Sequence, residues 1–283
     1  MHVKSSYIPV ILLAILLSLS SCNLEKKIAR SFVEEPKIHP VLLLLPDFVF
    51  KTNLKVYEID STYLPGDYRR DSMLMAKSLF LKDLSDSTLL RNFSTKFVSV
   101  MEELGFDVLP ENRMDSLLQL KAKGLLVNFA QISVEEYVHP YSDSYDLGDE
   151  VVTLNDIDLN ALNLNIWLEL GVMNGEQKNK VLFASDYFTD RLSGSFRQSF
   201  FSRDLTFEFS IDTLTVGQFY QFSTLVGEKC AVLLYDYLMN KVILGGLPED
   251  YRYDPQYYHY DLRSDAIYPI GPENRFIELD QKK

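Results

Sequence analysis

Two thiols, four imidazoles and an excess of carboxylates are the groups of this chain that could carry chemistry. The thiols and imidazoles belong to Cys22, Cys230, His2, His39, His139 and His259. They are scattered along the chain, and no serine-hydrolase elbow, zinc-protease, Cys-x-x-Cys, P-loop or dinucleotide-binding pattern occurs. We therefore expect a protein that is not an enzyme and that holds no metal and no cofactor.

The carboxylates are densest between His139 and Asn160, where six acidic residues occur. A calcium loop of the EF-hand type needs a glycine at its sixth position, and the segment that begins at Asn155 lacks it. The composition therefore favours a solvated loop over a calcium site. Two carboxylates could also hydrolyse a glycoside, and a hydrolase is the least favoured of our three functional hypotheses.

Cys22 stands at the end of a segment that is typical of a signal peptide. Lys4 precedes an apolar run from Ile8 to Leu19, which is shorter than the roughly 20 residues that span a bilayer. The run ends in Leu19-Ser20-Ser21-Cys22, which resembles the lipobox of bacterial lipoproteins. This resemblance implies that residues 1–21 are a cleaved signal peptide. It also implies that Cys22 receives a diacylglycerol, usually with a further acyl chain such as palmitate on its amine. A cleaved signal without lipidation is the alternative.

The predicted lipid anchor places the protein in the cell envelope. Each buried CH₂ contributes about 0.8 kcal/mol, so two or three acyl chains on Cys22 would hold the domain on a membrane. In enteric bacteria an aspartate after the cysteine retains lipoproteins in the inner membrane, and Asn23 therefore favours the outer membrane. The sequence leaves open whether the domain faces the periplasm or the outside. The formal net charge of −12 argues against binding nucleic acid or anionic lipid through charge.

Composition divides the remaining chain into three segments. Residues 22–40 are polar and contain Pro36 and Pro40, which predicts a tether between the membrane and the domain. Residues 41–248 carry the periodic apolar segments and are predicted to form a single mixed α/β domain. Residues 249–283 form a tail rich in tyrosine and proline.

Apolar runs of two kinds predict the sheet. Val41–Phe50 is continuously apolar, as in a strand that is buried on both faces. Leu162–Leu170 alternates apolar and polar residues with period two, and Val181–Thr189 returns beside it as the second strand of an antiparallel hairpin. Strands of both kinds in one domain predict a mixed sheet.

Two helices are predicted from their apolar stripes and their caps. The first starts with Asp86 or Ser87 as its cap and runs to Leu104, where Gly105 can adopt the left-handed conformation that closes a helix. The second begins at Thr215 with a capping box. A further short helix is predicted from Met114 to Lys121. The predicted fold class is α/β (α+β), a mixed sheet with an antiparallel hairpin packed by two or three helices.

Residues 41–137 resemble a small domain that occurs in several envelope-assembly proteins. The helix that ends in Glu-Leu-Gly-Phe-Asp-Val-Leu, followed by Lys-Ala-Lys-Gly-Leu-Leu-Val-Asn-Phe, places Gly105, Phe106 and Val108 in the Gly-Phe-x-Val pattern of that domain. Similar domains belong to the Tol-system propeller protein, the curli-secretion lipoprotein and the lipoprotein activators of peptidoglycan synthases. The resemblance implies an assembly role and carries over no site residue.

Aromatic side chains form the candidate binding surface. Trp167 falls on the polar side of its strand, and the tail contributes Tyr251, Tyr253, Tyr257, Tyr258 and Tyr260. Such rings can stack on a sugar or a protein partner, although packing against the domain is the favoured interpretation. Cys230 falls on the apolar side of its helix and is predicted to be buried and unreactive.

Our first functional hypothesis is a lipid-anchored assembly or transport accessory that acts without catalysis, through contacts with an envelope protein. The alternative is a lipoprotein that binds a glycan or another small ligand. An exposed aromatic shelf would favour this alternative, and a cleft with converging carboxylates would favour a hydrolase.

Overall fold

A computed structural model of the chain describes residues 24–36, 40–55, 68–115, 124–146, 151–172, 179–198, 205–252 and 255–279. Cys22, Tyr253 and most of the short helix predicted from Met114 to Lys121 lie outside these ranges. The helices are α1 (residues 24–34), α2 (Tyr68–Ala76), α3 (Asp86–Glu103) and α4 (Val216–Gly246). The strands are β1 (Val41–Leu44), β2 (Phe50–Asn53), β3 (Val108–Pro110), β4 (Leu125–Asp146), β5 (Val151–Val172), β6 (Lys180–Thr189), β7 (Arg191–Gln198), β8 (Leu205–Asp212), β9 (Tyr258–Asp261), β10 (Ala266–Pro269) and β11 (Ile277–Leu279).

The central sheet contains seven strands and is mixed. Its order is β11-β6-β5-β4-β1-β3, and β2 pairs with β4 farther along the same edge as β1. The strand β1 runs parallel to β3 and β4, and β2 also runs parallel to β4. The pairs β4–β5, β5–β6 and β6–β11 are antiparallel. Parallel pairing of β1 on both sides agrees with its buried, uniformly apolar sequence. The predicted mixed sheet with an antiparallel hairpin is therefore confirmed.

One layer of helices covers one face of the sheet. The rings of Phe93 and Phe97 on α3 lie 4.9 and 5.1 Å from the ring of Phe129 on β4, in edge-to-face geometry. The helix layer also packs on β5, through Leu164, Ile166 and Leu168, which are all buried. The helices α3 and α4, both predicted, pack against each other. The helix α1 joins them through buried Ala29. Of the helices that the structure describes, none is long and apolar enough to cross a membrane.

The helix boundaries follow local capping chemistry. Ser85 caps α3, one residue before the predicted start, because its hydroxyl accepts a hydrogen bond from the backbone N–H of Thr88. Thr215 and Gln218 form the predicted capping box of α4. Gly105 has a φ of 89°, the left-handed conformation expected after a helix.

Three segments differ from what composition predicts. Residues 24–34, predicted within the tether, form α1, because Ala29 and Phe32 lie on one side of a helical turn and pack on the core. The apolar run from Val41 ends as a strand at Leu44, before Pro46, which cannot donate to a ladder. The tail is not irregular: it forms β9 and β10 and adds β11 to the central sheet.

Two antiparallel ribbons extend beyond the packed sheet. The strands β4 and β5 remain paired as far as Asp146 and Val151, whereas β6 pairs with β5 only from Ala161 onward. The acidic segment predicted as a loop is thus largely strand, because its described residues pair backbone to backbone across β4 and β5. Arg191–Gln198 and Leu205–Asp212 pair as the second ribbon, β7–β8.

Candidate functional site

Trp167 lies on the sheet face that the helix layer leaves open. Its ring centroid is 5.0 Å from that of Phe183 on the neighbouring strand, and the side chain is half-buried. Beside it, Asn163 and Asn165 both accept hydrogen bonds at 2.8 Å from the hydroxyl of Ser185. This polar network explains why Trp167 alternates with amides in the sequence, because it belongs to the outward-facing row of β5.

The tail tyrosines do not share one surface. Tyr258 and Tyr260 are buried, and their backbone N–H groups donate to Asn240 and Asp236 on α4. Tyr251 is exposed, and Tyr257 is half-buried beside a cavity. Because Trp167 lies on the opposite face of the sheet, the structure does not bring it together with the tyrosines that contact α4.

A buried carboxylate fixes the tail on the helix layer. Asp236 is fully buried on α4 and lies 2.6 Å from Nδ1 of His259 on β9. This hydrogen bond raises the pKa of His259 above its usual value, and burial raises the pKa of Asp236. Its second oxygen accepts the N–H of Tyr260, so both oxygens are used to position β9.

Glu136 is a second buried carboxylate, and no sequence pattern identifies it as a site residue. It accepts the backbone N–H groups of Leu79, Phe80 and Leu81 and pairs with Lys55 at 2.8 Å. Burial would raise its pKa, but these hydrogen bonds outweigh burial and lower it. Fully satisfied in this way, Glu136 positions a turn and leaves no oxygen free for proton transfer.

The thiol of Cys230 and the clustering of possible metal ligands can be read directly from the described part of the chain. Cys230 is buried on α4, and desolvation raises its pKa to about 12, so the nucleophilic thiolate is absent at neutral pH. Among the described residues, no group of three or more His, Cys, Asp or Glu side chains is arranged to hold a metal ion.

A cavity of about 660 Å³ lies where the tail crosses the end of α4. Its lining includes Tyr237 and Lys241 of α4 and Tyr257, Arg275 and Glu278 of the tail. Glu278 accepts hydrogen bonds from Lys180 at 2.5 Å, Tyr237 at 2.9 Å and Lys241 at 3.0 Å. Although burial opposes ionisation, these three donors lower the pKa of Glu278 to about 2.

The β7–β8 ribbon (Arg191–Gln198 with Leu205–Asp212) is amphipathic along its whole length. Its register places directly opposite residues on the same face, so each strand contributes every second residue to that face. One face carries Leu192, Gly194, Phe196, Gln198, Leu205, Phe207, Phe209 and Ile211. The other face carries Arg191, Ser193, Ser195, Arg197, Thr206, Glu208, Ser210 and Asp212.

On β8 the apolar face of the ribbon remains partly exposed. Every described residue of the ribbon is at least partly exposed, and Phe209 is 50% exposed. The ring of Phe207 lies 4.9 Å from Phe196 and 6.0 Å from Phe209, so the aromatic side chains form a continuous row. Both outer edges of this two-stranded sheet are also without a strand partner among the described residues. The ribbon thus exposes apolar side chains and, at its edges, backbone groups that no described strand pairs with.

Comparison with known proteins leaves this chain without an assigned family. No family model matches it, and no curated protein matches it. Among solved structures, it is similar to a protein from Helicobacter pylori that is described as a neuraminyllactose-binding hemagglutinin homolog. The two are 15% identical, the match covers 74% of this chain and 93% of the other, and the TM-score is 0.26. At this TM-score the likeness carries no argument about function.

Proposed function

We propose that this protein is a lipid-anchored component of the cell envelope that serves, without catalysis, as an assembly or transport accessory. Its contact with an envelope protein is made by the apolar face of the β7–β8 ribbon. The observation that carries the proposal is the pair of neighbouring rings of Phe207 and Phe209, which lie 6.0 Å apart on the apolar face, with Phe209 half-exposed.

A bound partner would relieve the exposure of these side chains. Covering a phenylalanine that is half-exposed, such as Phe209, contributes on the order of 1 kcal/mol. Several neighbouring aromatic side chains can therefore form the centre of an interface, where such residues dominate the binding energy. Exposed apolar surface of this kind commonly marks an interaction site in soluble domains.

The open edges of the ribbon favour a protein over a lipid surface as the occupant. Backbone N–H and C=O groups at a strand edge need hydrogen-bond partners, and hydrocarbon supplies none. A strand from another protein can pair with β7 or β8 and cover the apolar face at the same time. The ribbon therefore fits a partner that presents an extended segment with apolar side chains.

Site-specific photocrosslinking tests this contact in cells that produce the full chain. A benzoylphenylalanine at position 209 lies on the apolar face, and the same residue in place of Ser210 lies on the polar face of the same strand. We expect one envelope protein, of the same mass in every preparation, to crosslink at position 209 and not at 210. The additional change Phe207→Ser should remove that adduct and leave the thermal stability unchanged, because Phe207 is not buried.

Three results would contradict the proposed contact. Equal crosslinking from positions 209 and 210 would mean that the apolar face is not selective. Adducts with lipid alone would replace the protein partner by a membrane surface. An adduct of twice the mass of the chain would replace the accessory role by self-association.

The proposed lipid anchor is tested separately by metabolic labelling with an alkyne fatty acid. Cys22 is the expected acceptor because it follows Leu19-Ser20-Ser21. Cys22→Ala should abolish the label and release the protein from the membrane fraction, whereas Cys230→Ala should leave both unchanged. Labelling that persists in Cys22→Ala would contradict lipidation at this residue.

Binding of a glycan or another small ligand is the second candidate function. The cavity beside Tyr257 favours it, because its volume of about 660 Å³ is that of a small-molecule site. The cavity combines tyrosine rings with charged side chains, which can respectively stack on a ring and orient its polar groups.

A further inference from the structure

The helix α1 follows the proposed lipid-bearing residue almost immediately. Asn23 alone separates Cys22 from Leu24, the first residue of α1 in the described part of the chain. Two residues of fully extended chain span at most about 7 Å. A lipid on Cys22 would therefore meet the folded protein directly, without a flexible tether between the two.

Contacts along the length of α1 hold this helix on the domain. Near its start, the hydroxyl of Tyr258 donates a hydrogen bond to the carboxylate of Glu25 at 2.8 Å. In its middle, Ala29 is fully buried, and Arg30 pairs with Asp265 at 2.6 Å. Because both the core and the tail contact α1, the first residue of this helix has a fixed place on the surface of the domain.

The direction of α1 shows at which end of the domain the lipid would attach. The ring of Phe32 lies 5.2 Å from the ring of Tyr235, which is well inside α4. One turn earlier, the side chain of Ile28 lies beside Gly246, the last residue of α4, where an added Cβ atom would be 3.1 Å from it. The two helices are therefore antiparallel, and Leu24, one further turn back, lies beside the carboxyl end of α4.

The base of the β7–β8 ribbon lies at the other end of α4. Asp190, which is buried and directly precedes β7, accepts the backbone N–H of Leu214 at 2.8 Å. Leu214 stands between the end of β8 and the start of α4, so this hydrogen bond closes the ribbon base. At 1.5 Å per residue, the 31 residues of α4 make a helix about 45 Å long. The length of α4 thus separates the ribbon base from the beginning of α1.

The exposed side chains at the carboxyl end of α4 suit a lipid surface. Leu24 is exposed at the start of α1, and Tyr251 is exposed in the turn that follows α4. Tyrosine is enriched where a membrane meets water, because its ring is apolar and its hydroxyl can remain solvated.

We propose that the lipid on Cys22 holds the carboxyl end of α4 against the lipid headgroups and keeps the ribbon base about 45 Å from the membrane. This inference rests on the proposed lipid anchor. It deepens the proposed function, because it places the contact with the envelope protein away from the bilayer. The partner would present its extended segment in the aqueous part of the envelope.

Fluorescence quenching by lipids with a nitroxide on the headgroup tests this arrangement in phosphatidylcholine vesicles. The full lipidated chain carries one added cysteine, either Gly245→Cys or Gly217→Cys, labelled with a fluorescent maleimide. Both glycines are exposed on α4, and an added Cβ atom at either has no neighbour closer than 3.9 Å. Cys230 is buried and should remain unlabelled. We expect strong quenching at position 245 and its loss at position 217, which lies about 40 Å farther along the helix.

A linker inserted between Asn23 and Leu24 is the matched control. About 20 glycine and serine residues form a flexible chain with a mean end-to-end distance of roughly 25 Å, so the domain would no longer be held at the headgroups. The insertion should remove most of the quenching at position 245. It should leave thermal unfolding unchanged, because the contacts of α1 are retained.

The outcomes separate the orientation of the domain from the lipid anchor itself. Equal quenching at positions 245 and 217 would overturn the inference, because the domain would then lie along the membrane. Quenching at position 245 that survives the linker would overturn it as well, because direct attachment would not be its cause. No quenching in chains that float with the vesicles would overturn the orientation and leave the anchor intact. Chains that carry no fatty acid and do not float would overturn the proposed anchor together with the inference.

Discussion

Buried charges in this protein are satisfied by many partners rather than by one. Glu136 accepts three backbone N–H groups as well as Lys55, and Asp236 uses both oxygens on β9. A buried charge is costly unless it is paired and hydrogen-bonded, so these side chains hold segments of the chain in place. At the residue scale, Glu136 and Asp236 therefore each fix one segment of the chain on another.

Glu278 supplies a prediction about acid stability. Its pKa of about 2 in the folded protein lies below the value of 4.5 for the unfolded chain. Its stabilisation is therefore fully present above about pH 4.5 and is lost as the pH falls toward 2. Glu278→Gln should lower the free energy of unfolding at pH 7 by about 1 to 2 kcal/mol, allowing for partial exposure.

Urea denaturation at pH 7, 4 and 3 measures this effect. The difference between wild type and Glu278→Gln should shrink as the pH falls below about 4.5, because Glu278 then takes up a proton in the unfolded chain before it does so in the folded protein. Glu249→Gln, at an exposed acid of the same segment, should match the wild type at each pH. A constant difference across the three pH values would show that the charge of Glu278 does not contribute.

At the scale of elements, the contact between α3 and α4 depends on one glycine. A Cβ atom added to Gly227 of α4 would collide with the backbone carbonyl of Phe93 on α3. The absence of a side chain therefore allows the two helices to approach closely while both cover the sheet. Backbone atoms cannot move aside as a flexible side chain can, so a larger residue must separate the helices.

Gly227→Ala should destabilise the protein by about 1 to 3 kcal/mol through overpacking, even though alanine favours a helix. Gly245→Ala is the matched control, because it lies on the same helix and an added Cβ would have no neighbour within 4 Å. That variant should be neutral or up to about 1 kcal/mol more stable. Urea denaturation of both proteins decides the point. Equal stabilities would mean that α3 and α4 can separate freely.

The ribbon β7–β8 is the element whose sequence pattern and environment disagree. An apolar face that alternates with a polar face normally packs on a core, yet here no residue of the ribbon is buried. Its pattern agrees with the strand period, so the missing contact is tertiary rather than local. A partner outside this chain that covers the apolar face would explain the alternating pattern.

At the scale of the whole molecule, the tail completes the domain. Its strand β11 extends the central sheet beside β6, and Tyr258 and Phe276 are buried in the core. Removing residues 249–283 should therefore unfold or aggregate the protein, because it exposes these core contacts and the edge of β6. Removing residues 280–283 alone is the control and should preserve the wild-type melting temperature.

Circular dichroism and gel filtration of the two truncated proteins measure the outcome. A folded, monomeric chain that ends at Pro248 would contradict a structural tail. This result would also favour the interpretation of the tail tyrosines as a binding surface.

The sequence by itself determined the features that depend on neighbouring residues. The capping box at Thr215, the left-handed Gly105 and the alternation of Leu162–Leu170 all follow from local backbone chemistry. The alternation of Leu205 to Asp212 is a comparable local signal for the amphipathic ribbon. The predicted lipid anchor also depends on sequence alone.

Only the tertiary structure decided which segments meet. Glu136 is separated by more than fifty residues from the backbone groups it accepts, and β11 crosses the chain to reach β6. By composition, the tail and residues 24–34 are typical of polar surface segments, because each contains only a few apolar side chains. Those few side chains are nevertheless enough to pack each segment on the core. Long-range burial depends on the whole surface available to a segment, which local sequence does not encode. The exposed rings of β8 and the tail cavity are both consequences of that arrangement.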